Sequence, residues 1–84
     1  MGTSRRKLLM KMQRNPQGDW TIEDIETVCR QANVTCTPPT GGGSHYKISH
    51  PNVEEILTIV ARRPVKVIYV KKLLAFIEEA GEGK

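Results

Sequence analysis

The chain has 84 residues, 38% of them apolar and 26% charged, with a net charge of +4. That is enough for one small domain with a modest core, and too apolar for a disordered tail. No apolar run approaches the ~20 residues of a membrane span and no secretory h-region is visible, so a cytoplasmic protein without a membrane partner is expected.

Charge is unevenly spread. Residues 1–14 carry Arg5, Arg6, Lys7, Lys11 and Arg14 without an acid, whereas residues 19–26 carry Asp19, Glu23, Asp24 and Glu26 without a base. A second basic cluster comprises Arg62, Arg63, Lys66, Lys71 and Lys72. Two basic clusters suit a polyanion such as RNA, although basic runs are more often solvated faces. The basic start resembles an organelle transit peptide, but a transit peptide precedes a domain and here the basic segment is expected to belong to one.

In chain order, residues 4–14 predict a short basic helix with Leu8, Leu9 and Met12 on one side, ended at Asn15-Pro16. Gln17-Gly18 makes a turn. Thr21 is the N-cap of the next helix, and Asp24 at N3 can reach back to complete a capping box, with Trp20 and Ile25 placed as a hydrophobic staple. Ile22, Ile25, Val28, Cys29 and Ala32 carry the apolar stripe to about residue 32. Val34-Thr35-Cys36-Thr37 predicts a strand that stops at Pro38-Pro39. With no signal peptide, Cys29 and Cys36 are expected to be reduced, small core residues.

Gly41-Gly42-Gly43 opens into a strand over 44–49, with both histidines, His45 and His50, inside the stretch from Gly41 to Pro51. Alternation puts Tyr46 and Ile48 on one face and His45, Lys47 and Ser49 on the other. If the apolar pair faces the core, His45 and Lys47 project together into solvent. After the Pro51-Asn52 turn, Glu55–Ala61 predicts a third strand of undecided parity, and Arg62-Arg63-Pro64 breaks it. Val67, Val70, Leu73, Leu74 and Ile77 then mark a closing helix over 67–80, stopped by Gly81. The expected fold is a single α+β domain over residues 1–84, α-(α)-β-β-β-α, with three antiparallel strands and the helices on one face.

The pattern Gly43-Ser44-His45-x-x-Ile48-x-His50-Pro51, followed by Leu57-Thr58-Ile59 and a basic-Pro turn before the last helix, resembles the HicA toxins. Asn15-Pro16, Asp19-Trp20 and Ile22-Glu23-Asp24 resemble a longer subgroup of that family, so the likeness spans roughly residues 14–77. It implies a double-stranded-RNA-binding-domain-like core over 19–80, with residues 1–18 as an added basic helix and turn. It further implies the toxin of a type II toxin–antitoxin system: an mRNA-cleaving endoribonuclease with one essential histidine, at the position of His45. A HicB-like antitoxin would cover its active face. Many relatives of this subgroup carry a proline and a histidine where Val60 and Arg62 stand here. A two-histidine scheme that used the second of those sites is therefore in doubt, while Arg62 keeps the positive charge.

Cutting a phosphodiester requires one proton removed, another supplied and positive charge at the phosphoryl oxygens. His45 could transfer the proton, as base on a 2′-OH or acid on the 5′-oxygen. Gly43 and Ser44 could offer backbone N–H groups and Lys47 its ammonium to the phosphate, while Arg62, Arg63, Lys66, Lys71 and Lys72 would hold RNA through phosphates and shape. Neither a cofactor nor a metal is required. By residue type alone an exposed histidine is most often a plain surface residue, His50 before proline a turn residue, and Tyr46 a core residue with an outside prospect of base stacking. The glycine run lacks the Lys-Ser/Thr of a P-loop, and the Cys-x6-Cys gap is too long for an ordinary zinc site. The rival reading is a non-catalytic RNA-binding module on the same fold.

Overall fold

The computed structural model describes residues 6–82. Among them, three helices and three strands run in the order α1 (Lys7–Arg14), α2 (Ile22–Gln31), β1 (Thr35–Thr37), β2 (His45–His50), β3 (Val53–Val60) and α3 (Val67–Glu79). The strands form one antiparallel sheet in the order β1-β2-β3. The fold is α+β, with the expected layout. The predicted start of the first helix, residues 4 and 5, lies outside the described residues.

Local rules account for α2. Thr21 Oγ1 accepts from the Asp24 N–H at 3.2 Å, and Asp24 Oδ2 accepts from the Thr21 N–H at 3.0 Å, which closes the capping box. At its far end Asn33 adopts φ 59°, and the Val34 and Asn33 N–H groups return to the Cys29 and Arg30 carbonyls. α3 ends in the same way: Gly81 sits at φ 83°, with the Gly81 and Glu82 N–H groups on the Glu78 and Ile77 carbonyls. Both are Schellman turns, which need a left-handed residue that glycine or asparagine tolerates.

α1 starts differently. Its own N-cap, Arg6, makes no side-chain cap. Instead Gln31 Oε1, from the end of α2, accepts the Leu8 and Leu9 N–H groups at 3.1 and 3.2 Å. Leu9 and Met12 are buried to 2% and 0% exposure in the same core as Ile25 and Val28 of α2. The helix expected as an addition thus packs its Leu9–Met12 face into the same core as α2.

That core lies between the helices and one face of the sheet. Ile48 of β2 and Ile59 of β3 are fully buried there against Val70, Leu73 and Ile77 of α3. Ile59 and half-buried Leu57 settle the parity of β3 and leave Ile56 outward at 59% exposure. β3 begins at Val53, two residues earlier than expected. Between the Ile48–Leu57 and His50–Val53 pairs, three residues of β3 stand opposite the single Ser49. This bulge adds an even number of residues, so the alternation of faces survives it. Phe76, at 7% exposure, joins the core although the expected stripe passed it by.

Candidate nucleic-acid interface

The register fixes the outer face of the sheet. Thr35 stands opposite Ser49, Thr37 opposite Lys47, Lys47 opposite Thr58, and His45 opposite Val60. Residues directly opposite share a face, so His45 and Lys47 lie among Thr35, Thr37, Ser49 and Thr58. His45 and Lys47 are both exposed, two residues apart on one strand, which places their backbones about 7 Å apart. Tyr46 points the other way and packs against the core, so it is not available to stack on a base from this face.

Gly41 and Gly42 take φ of 74° and 82° and turn the chain into β2. A side chain at either would meet open space, so what these positions demand is the left-handed backbone. Neither Gly43 nor Ser44 engages its N–H in a hydrogen bond among the described residues. The Ser44 carbonyl accepts from the Ala61 N–H at 2.8 Å, which brings the Arg62–Lys66 turn alongside His45. Arg62, Arg63 and Lys66 are exposed there, and Arg63 lies 3.5 Å from Glu23 in a pair open to solvent. Lys71 and Lys72 are also exposed, but they sit on α3, behind the sheet as seen from His45. The structure thus sets Gly43, Ser44, His45 and Lys47 along one end of the open face with Arg62 just past the end of the neighbouring strand, whereas Arg63 pairs with Glu23 at the start of α2, Lys66 is the N-cap of α3, and Lys71 and Lys72 lie on α3 in the other layer. The hydroxyls of Thr37 and Thr58, which flank Lys47, escaped the sequence reading because only strand register places them there.

His50 does different work. Its side chain, 7% exposed, lies on the helix side of the sheet. Nδ1 accepts the Asn52 N–H at 3.0 Å, so in the neutral ring Nε2 carries the proton and donates to Glu82 Oε2 at 3.1 Å. Arg6 donates to the Glu82 carbonyl and approaches its Oε1 at 3.4 Å, while Asn52 Nδ2 donates to the Ala80 carbonyl at 2.9 Å. The Schellman turn at Gly81 sets Glu82 in this position. Glu82 therefore ties the end of α3 to His50 at the end of β2 and to Arg6 at the start of α1. The hydrogen bond from His50, with help from Arg6, holds the Glu82 carboxyl below its ordinary value. A group so depressed stabilises the fold above its unfolded-state pKa and loses that contribution as pH falls through the folded-state value. Thermal midpoints should therefore show an acid decline below about pH 4, and Glu82→Gln should flatten that limb.

Cys29 and Cys36 meet where α2 faces β1, lining a hollow of about 260 Å³ with Glu26, Arg30 and Val34. The interaction between the two thiols, with burial added, pushes Cys29 up; the same interaction draws Cys36 down against the opposing effect of its own burial. Cys36, the more exposed of the two, should be alkylated first by iodoacetamide, as peptide mass mapping would show. Cys29, Cys36, His45 and His50 do not converge on one site: His45 is on the outer face, while His50 and the cysteine pair are on the inner side. Among the described residues no three metal-ligating side chains cluster, and no helix is long and apolar enough to cross a membrane.

Compared with protein-family models, curated proteins and solved structures, the chain has no match.

Proposed function

We propose that the protein is a metal-independent endoribonuclease that cleaves mRNA, the cytoplasmic toxin of a type II toxin–antitoxin pair of the HicA kind. The observation that carries this reading is His45, solvent-exposed on an open sheet face, with Lys47 and Thr58 beside it and unengaged Gly43 and Ser44 N–H groups next to it.

In this scheme the scissile phosphate sits over Lys47, with the two N–H groups on its non-bridging oxygens. His45 takes the proton of the adjacent ribose 2′-OH as that oxygen attacks phosphorus. The 5′-oxygen leaves with a proton from solvent or from the imidazolium, and a 2′,3′-cyclic phosphate remains. Charge stabilisation comes from Lys47 and the backbone donors, which act where negative charge grows. Arg62, Arg63 and Lys66 hold flanking phosphates. The threonine hydroxyls suit ribose and phosphate oxygens, and no base-reading group is evident, so cleavage should show little strict sequence preference. A HicB-like antitoxin would act by covering this face.

The test is an EDTA-treated cleavage assay on single-stranded RNA. Wild-type protein should cut, and induced expression should deplete mRNA and halt growth. Binding without cutting by the wild type would favour the RNA-binding module instead. Binding should weaken with salt, with a log–log slope near −3 if about four phosphates are neutralised. Lys47→Ala should shrink that slope by nearly one, whereas Lys71→Ala and Lys72→Ala should leave it in place.

A further inference from the structure

The free edge of β3 offers a second kind of surface. The bond from the Ala61 N–H to the Ser44 carbonyl sets the phase of the β2–β3 ladder. Tyr46–Ile59 and Ile48–Leu57 are its hydrogen-bonded pairs, Ser44 and Ala61 continue the phase with the single bond from the Ala61 N–H, and His45–Val60 and Lys47–Thr58 are the pairs between them. The N–H and C=O groups of Thr58 and Val60 therefore point away from β2, and by alternation so do those of Ile56. Among the described residues no other segment hydrogen-bonds to them. This edge is eight residues long, against three for β1 at the other side of the sheet.

Exposed edges are usually blunted by charge. Here the charges are opposite in sign at the two ends: Glu54 and Glu55 at the start, Arg62 and Arg63 just past the finish. An antiparallel copy of the same strand, related by a two-fold axis at Thr58, sets Thr58 against Thr58, Ile56 against Val60 and Glu54 against Arg62, each of the last two pairings made twice. Ile56, Thr58 and Val60 lie on the outer face, Glu54 and Arg62 stand at and just past the strand ends, and the three edge-directed positions exchange about six main-chain hydrogen bonds. Shifting the axis by one residue to Ile59 faces Ile56 with Arg62 and Glu54 with Pro64. A parallel copy in register stacks like charges.

We infer that the protein self-associates through this edge into a two-fold dimer whose two sheets join as one. The interface is isologous and uses up the long edge, so it closes rather than grows. The axis is perpendicular to the sheet, so both His45–Lys47 faces look the same way, with the β2 strands about 14 Å apart. The dimer does not depend on the ribonuclease reading, because its contacts are the edge groups and the terminal charges.

Sedimentation equilibrium of the full chain from about 10 µM to about 1 mM tests it. The weight-average mass should climb from 9.4 kDa toward twice that value. Glu54→Arg and Arg62→Glu should each weaken association at least tenfold by opposing like charges, and the two combined should restore it. Thr58→Pro removes an edge-directed N–H without touching the ladder to β2 and should give a monomer. Far-UV circular dichroism checks that each variant is folded; should the proline variant unfold, the exposed charge variants still decide the matter. A wild-type mass that stays at 9.4 kDa overturns the proposal. So does association unchanged by the single reversals, or not regained in a folded double variant.

Discussion

His45→Ala should lower RNA cleavage by about 10²–10⁴-fold, the usual contribution of one positioned proton-transfer group. Its effect on RNA affinity should stay within about threefold, because in the proposed scheme Lys47 and the Arg62–Lys66 turn would supply the charge that positions phosphates. The split between cutting and binding is what separates this residue from a surface histidine. Stability should change by no more than about 0.5 kcal/mol, since the ring is exposed and holds no hydrogen bond among the described residues. Gel assays of cleavage and filter binding on the same RNA, with thermal melts as the fold control, read all three quantities. Equal cutting by the wild type and the variant would remove His45 from the chemistry. His50→Ala should behave in the opposite sense. It loosens the clasp with Glu82, lowers the thermal midpoint and leaves the cleavage of the folded fraction in place.

Met12→Ala should cost about 2–5 kcal/mol, the range for a fully buried methionine truncated in a packed core. A chain of this length has roughly 4–13 kcal/mol in total at ordinary stability per residue. The variant should therefore melt at least about 8 °C lower, and if the wild type lies near the bottom of that range, the upper end of the cost would leave it largely unfolded at room temperature. Urea denaturation of the wild type and variant measures the loss directly. An appended helix would give a different result, with Met12→Ala neutral and α1 fraying alone. The Leu8 and Leu9 N–H bonds to Gln31 argue further that α1 and α2 form together, so Gln31→Ala should loosen α1 while leaving the α2 capping box intact.

The candidate site was legible where one local rule decides. The parity of β2 separates His45 and Lys47 from Tyr46 and Ile48, because a strand has a two-residue period and only one of its faces can be apolar. The Thr21–Asp24 box and the Gly81 stop are likewise short-range matters of one side chain or one backbone angle. His50 was harder to place. Its parity goes with Tyr46 and Ile48, yet its partner Glu82 lies 32 residues away and reaches it only through the turn that ends α3. Thr37 and Thr58 could not be assigned to the flanks of Lys47 without the pairing register. β3, with apolar residues at five of its eight positions, gives no parity signal until Ile59 is seen buried and Ile56 exposed.

The sequence by itself determined the element order, the α2 cap, the face on which His45 and Lys47 stand and the basic clusters that bracket them. These depend on spacing and on interactions within a few residues. Only the tertiary structure decided that α1 belongs to the core, that His50 is a clasp, that Lys71 and Lys72 lie in a different layer from His45, and that β3 presents a free edge. Each of those facts is set by which surfaces meet when the sheet and helices pack, and residues distant along the chain carry no mark of that meeting.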